Sequence, residues 1–184
     1  MLQSEEILVA EFEYIAQTAF QAHEDRARVS TFYVITIGSI LATLLSSETA
    51  VSDEPGMRWA FTGLFFVLSL FGLLTLLQLV RLRQAWFESV RAMNQIKHFF
   101  AQNVDKLDLK PAFLWHNGSR PSLFKPKSVS FLLALQVCLL GGLTFGAAVF
   151  FAGLAWGWSA VAGVAFAAGQ LLLYGYSLRM KRDA

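Results

Sequence analysis

Charge is what the middle of this chain lacks. Residues 31–47, 59–80, 129–151 and 154–178 contain no Asp, Glu, Lys, Arg or His. That absence excludes proton-coupled transport, which relays protons through intramembrane acids or histidines, and a voltage sensor, which moves buried arginines. Cysteine is nearly missing as well. Cys138 is the single one, so no intrachain disulfide forms and cysteine usage does not report the redox compartment; it reads as a small packing residue. Proline occurs at four positions, none inside the uncharged runs. The first residues, Met-Leu-Gln-Ser-Glu-Glu, are acidic where a cleavable signal would be basic, so no signal peptide is expected. No metal-ligand cluster, phosphate-binding loop or dinucleotide fingerprint is present. No catalytic residue, metal or cofactor is therefore assigned, and the chain reads as a non-enzyme.

What is present is hydrocarbon. The chain is 55% hydrophobic, against about 45–50% for ordinary soluble domains. Each uncharged run approaches the roughly 20 residues that a helix needs to cross a bilayer, the first only if it starts near Val29. The expected fold is an all-α integral membrane protein with four transmembrane helices. Net charge is +2, which gives no electrostatic footprint for nucleic acid. The informative charges are the local ones. Lys and Arg are retained on the cytoplasmic side of a membrane. Residues 81–127 carry Arg81, Arg83, Arg91, Lys97, Lys106, Lys110, Arg120, Lys125 and Lys127, and the tail carries Arg179, Lys181 and Arg182. Residues 48–58 are net acidic, and residues 153–158 have no charge. This pattern puts both termini and the central segment in the cytoplasm of a cell membrane, and two short connections outside. Trp59, Trp156 and Trp158 then fall at the outer boundary and Trp86 near the inner one, where amphipathic rings prefer to sit.

Outside the spans, residues 1–30 predict an amphipathic acidic helix with Leu8, Phe12, Ile15, Ala19 and Ala22 along one face. Residues 31–80 predict a first transmembrane hairpin. Residues 81–127 predict a basic helix and a proline-containing loop. In that helix Leu82, Trp86, Val90, Met93, Ile96 and Phe100 form an apolar stripe. Residues 128–178 predict a second hairpin, with Ser128 as an N-cap, and 179–184 a basic tail. The acidic and basic helices leave the membrane on one side with complementary charge, which predicts a cytoplasmic stalk. Exposed ion pairs supply only about 0–1 kcal/mol each, so the apolar stripes must carry the pairing. The alternative places the first helix flat on the membrane surface. Phe113, Trp115 and Phe124 either fold back onto the stalk or form a docking patch for a partner.

Inside the spans, Thr36, Ser39, Thr43 and Ser46 share one helical face. Copies arranged about an axis would line a narrow, uncharged pore; alternatively each hydroxyl bonds its own backbone. Gln78, Gln136 and Gln170 sit in the inner half of the bilayer, and they either bond one another or line a vestibule. Gly142 and Gly146 form a GxxxG pair, and Ser159, Gly163 and Ala167 repeat at four. Small residues let helix backbones approach, either within the second hairpin or against another subunit. One further pair, Arg91 and His98, is close to the spacing of HEPN-type ribonucleases, which would make a membrane-bound nuclease the third alternative.

A polar N-terminal helix (residues 11–28) running into a hydrophobic hairpin, then a long helix (residues 81–103), resembles SLATT-type membrane effectors and the small multi-span accessory proteins of anti-phage systems. The resemblance covers about the first 105 residues and rests on organisation; the second hairpin is additional to it. It implies a homo-oligomeric, channel-like or membrane-perturbing protein gated through its stalk by a soluble protein or small ligand. The rival reading is a non-conducting scaffold or anchor that recruits a soluble partner. The orientation has a direct check. A tag after the C-terminus and a reporter at Lys97 are expected to react with a membrane-impermeant label from the same side; labelling from opposite faces overturns the topology.

Overall fold

The computed structural model describes residues 4–46, 55–103 and 125–180. They form four helices: α1 (Ser4–Ser46), α2 (Pro55–Asn103), α3 (Val129–Phe151) and α4 (Trp156–Met180). No strand occurs among the described residues. All four helices are long and apolar enough to cross a membrane. Helix α1 begins well before its apolar run and α2 continues well beyond its own, because no proline intervenes; the acidic stretch and the first span are one helix, as are the second span and residues 81–103. Pro55 opens α2, at the first helical position where its missing N–H costs nothing.

The chain divides into two compact units, Met1–Asp25 with Arg81–Leu123, and Arg26–Val80 with Phe124–Ala184. In the first, Ala19 and Ala22 are buried and Leu8, Phe12 and Ile15 are half-buried. Lys97 of α2 sets its ammonium 5.7 Å from the Phe12 ring centroid. The stripe from Leu82 to Phe100 is half-buried throughout, and the deepest positions beside it are polar: Arg83, Ser89 and Asn94. Two of these are settled locally. Arg83 lays its guanidinium over the Trp86 ring at 4.6 Å, and Ser89 donates to the Ala85 carbonyl at 3.2 Å.

The second unit holds the hydrophobic spans. Its core includes Tyr33, Ile37, Leu76, Leu79, Ala134 and Val137. Phe61 and Phe65 of α2 meet Phe151 of α3 at 5.1 and 5.6 Å between ring centroids. Ser128 caps α3, its extended backbone letting the hydroxyl accept from the Phe131 N–H at 3.3 Å. The other end closes on Gly153. Its N–H donates to the Phe150 carbonyl at 3.0 Å and the Leu154 N–H to the Val149 carbonyl at 3.4 Å. This double bond is a Schellman closure and needs a left-handed residue, which Gly153 supplies with φ 105°.

Helices α3 and α4 then run back along each other on their small residues. A Cβ on Gly142 would lie 2.6 Å from the Gly163 carbonyl oxygen and 2.7 Å from the Ala167 Cβ. One on Gly146 would meet the Ser159 carbonyl at 3.0 Å, and one on Gly163 the Gly142 carbonyl at 2.7 Å. The five residues Gly142, Gly146, Ser159, Gly163 and Ala167 thus meet within the hairpin. Phe145 and Phe166 stack beside the seam at 4.4 Å. Because the atoms in the way are backbone, they cannot swing aside. Gly142→Val is expected to lower stability by about 1–3 kcal/mol, the usual cost of overpacking. Gly169→Ala, where an added Cβ meets nothing within 4 Å, should change it by less than about 0.5 kcal/mol. Thermal unfolding in detergent followed by circular dichroism separates the two.

Candidate functional site: the polar groups inside the spans

The hydroxyl face of α1 is on the outside of the described structure. Ser39, Thr43 and Ser46 are exposed and Thr36 is half-buried. Three of the four bond backward to their own helix. Thr36 donates to the Phe32 carbonyl at 2.8 Å, Thr43 to Ser39 at 2.9 Å, and Ser46 to Thr43 at 3.0 Å. Such a bond satisfies the donor without a partner helix and leaves the hydroxyl oxygen able to accept. Ser39 and Thr43 lie in a shallow groove completed by Ile40, Leu44 and Leu64.

The three glutamines do not meet. Gln78 and Gln136 are exposed, whereas Gln170 is buried. Neither amide atom of Gln170 has a hydrogen bond, so the reading in which the glutamines bond one another does not hold for it. Its amide sits against Gly141, where a Cβ would lie 2.8 Å from Oε1 and 3.1 Å from Nε2. Among the described residues of this unit Tyr33 is likewise fully buried, and its hydroxyl, beside that of Thr144, makes no well-formed hydrogen bond. That hydroxyl occupies the space that a Cβ on Gly72 would fill, and the same Cβ position lies 3.5 Å from the Gly141 Cα. Thr144 points its proton at the Gly141 carbonyl at 3.0 Å. Tyr33 of α1, Gly72 of α2, Gly141 of α3 and Gln170 of α4 therefore form one polar node in which two glycines make room for two unsatisfied side chains.

A second node lies at the start of α3. Arg26, buried, donates to the Ser130 hydroxyl, and the Tyr174 hydroxyl to the Ser130 carbonyl at 3.4 Å. It joins α1, α3 and α4. In the sequence Arg26 is one of two bases just before the first span, and neither it nor Tyr33 stands out as a site. The available signal was that Tyr33 is the one tyrosine among the hydroxyl-bearing residues of the first span.

Arg91 and His98 are both exposed on α2. Phe113, Trp115 and Phe124 lie outside the described residues. Among the described residues no three His, Cys, Asp or Glu side chains gather in a way that could hold a metal. No family model matches the chain, and comparison with curated proteins and with solved structures returned no match.

The node makes a coupled prediction. Gly72→Ala should lose about 1–3 kcal/mol by driving a methyl into the Tyr33 hydroxyl. Tyr33→Phe alone should be neutral or stabilising by about 1 kcal/mol, since it removes an unmade hydrogen bond, and should recover much of the loss in the double variant. A double-mutant cycle on thermal unfolding measures this coupling; simple additivity would show that the hydroxyl is not seated on Gly72.

Proposed function

We propose that this is a homo-oligomeric, multi-pass protein of the cell membrane, channel-like or membrane-perturbing in action, gated through a cytoplasmic stalk built from its N-terminal helix and the extension of its second span. In this reading both termini are cytoplasmic and a soluble protein or small ligand acts on the stalk. One observation carries it. Most of the hydroxyl face of α1 is left exposed by the described helices, and only 17% of the most apolar window of α1 is buried, against 44% for α2. A span with so little of its surface packed has a face free for lipid or for other copies. A row of hydroxyls on that face gives an assembly of copies a weakly polar lining without any charge to desolvate. The layout shared with SLATT-type effectors supports the same reading, and anti-phage defence is the setting that it implies.

A specific observation favours the rival. Thr36, Thr43 and Ser46 already bond their own backbone, so the face tolerates lipid and a non-conducting anchor needs nothing more from it. Planar-bilayer recording on the purified protein decides between them. The channel reading expects discrete conductance that falls at least tenfold when Thr36, Ser39 and Thr43 become Leu. The anchor reading expects silence from both proteins and an unchanged ability to hold a partner.

A further inference from the structure

We infer that the groove outside the α3–α4 seam is a binding site for one anionic phospholipid, its acyl chain along the groove and its phosphate at Arg58. The groove encloses about 540 Å³, within the ~300–1,000 Å³ typical of ligand sites. Its floor is the seam itself and its walls are apolar side chains such as Leu139, Leu143 and Phe150 on α3, and Val164 on α4. The close approach that glycine permits sinks the floor, while those four walls stay well exposed. Ser159 brings the one hydroxyl among the described lining residues, and it is turned to the Ala155 carbonyl at 3.2 Å. Among the described lining residues the indole N–H of Trp156, at the open end, is the remaining side-chain donor, so the part of a ligand that enters the groove is hydrocarbon.

Length selects the occupant. The lining runs from Trp156 to Ala167 on α4 and from Leu139 to Phe150 on α3, in each case a rise of about 16 Å. Half of a ~30 Å hydrocarbon core is about 15 Å. The groove is therefore one leaflet deep, which suits a single acyl chain. A spanning helix from a second copy would seek a seam through the full thickness.

Charge selects the headgroup. The groove opens at the α3–α4 turn beside Trp156, which is 77% exposed, as an interfacial tryptophan should be. Gly153 lies in that turn, and a Cβ on it would be 3.2 Å from Nη2 of Arg58. A guanidinium from α2 thus rests against the turn that links the two ends of the groove, Phe150 and Trp156, within reach of a headgroup whose chain lies in the groove; there it complements a phosphodiester and favours a lipid with net negative charge.

Native mass spectrometry of the intact protein released from bilayers of phosphatidylglycerol and phosphatidylcholine tests this. Wild type is expected to retain one phosphatidylglycerol, at least threefold in preference to phosphatidylcholine. Ala160→Phe, which fills the groove from its exposed α4 wall, should lose the retained lipid; Ala147→Phe does the same from α3 and serves if the first variant does not fold. Val161→Phe, exposed but outside the lining, should keep it. Arg58→Gln should keep a lipid but lose the preference. Equal retention of the two lipids by wild type, or unchanged retention in both groove-filling variants, overturns the inference. So does a wild-type dimer that Ala160→Phe dissociates, since a second copy would then occupy the groove.

Discussion

Hydrocarbon gives a peptide group nothing to bond with and gives two apolar helices no reason to associate. The first condition forces every crossing segment to satisfy its own backbone, which a continuous helix does. The second leaves close packing and hydrogen bonds as the forces that can hold helices together. The α3–α4 hairpin meets both. Gly153 closes the last turn of α3 by returning two N–H groups to it, and the seam of Gly142, Gly146 and Gly163 then brings the two backbones within contact of one another. Other contacts in this unit depend on larger side chains, as where Phe151 meets the aromatic rings of α2.

The same solvent sharpens the meaning of the polar node. An unmade hydrogen bond on a buried side chain costs about 1–3 kcal/mol, and Tyr33 and Gln170 hold three unpartnered polar atoms between them. Phenylalanine and leucine would fill similar space at lower cost. Two glycines have in addition given up side chains so that these groups fit. Stability does not explain that choice.

Much of the architecture was legible in the sequence because its signals are local. Runs without charge mark the spans, the absence of proline lets α1 and α2 run on, and Ser128 followed by apolar residues marks the start of α3. The Gly and Ala spacings of spans three and four were legible as a contact, with the hairpin itself as the first reading and another subunit as the alternative, and the structure makes it within the hairpin. That choice depends on the length of the turn and on the hand of Gly153, which only the folded chain displays. The glutamines misled for a related reason. Depth along a helix can be counted from sequence, but rotation about its axis cannot, and rotation puts Gln170 inside while leaving Gln78 and Gln136 outside. Tyr33 was invisible because tyrosine in a span is unremarkable until its hydroxyl is found against a glycine. In the extensions, Arg83, Ser89 and Asn94 take the deepest positions beside the apolar stripe.

These local facts make the spans unequal partners for any assembly. The small residues of the α3–α4 seam are consumed by each other, so a second copy gains little backbone approach at that seam. Helix α2 is the most buried of the four spans and α1 the least. Association through α1 would therefore disturb none of the contacts that hold the hairpin, and it would gather the hydroxyl faces of neighbouring copies while the α3–α4 groove stays toward lipid. Motion of α1 would then act directly on buried groups whose hydrogen bonds are still to be made.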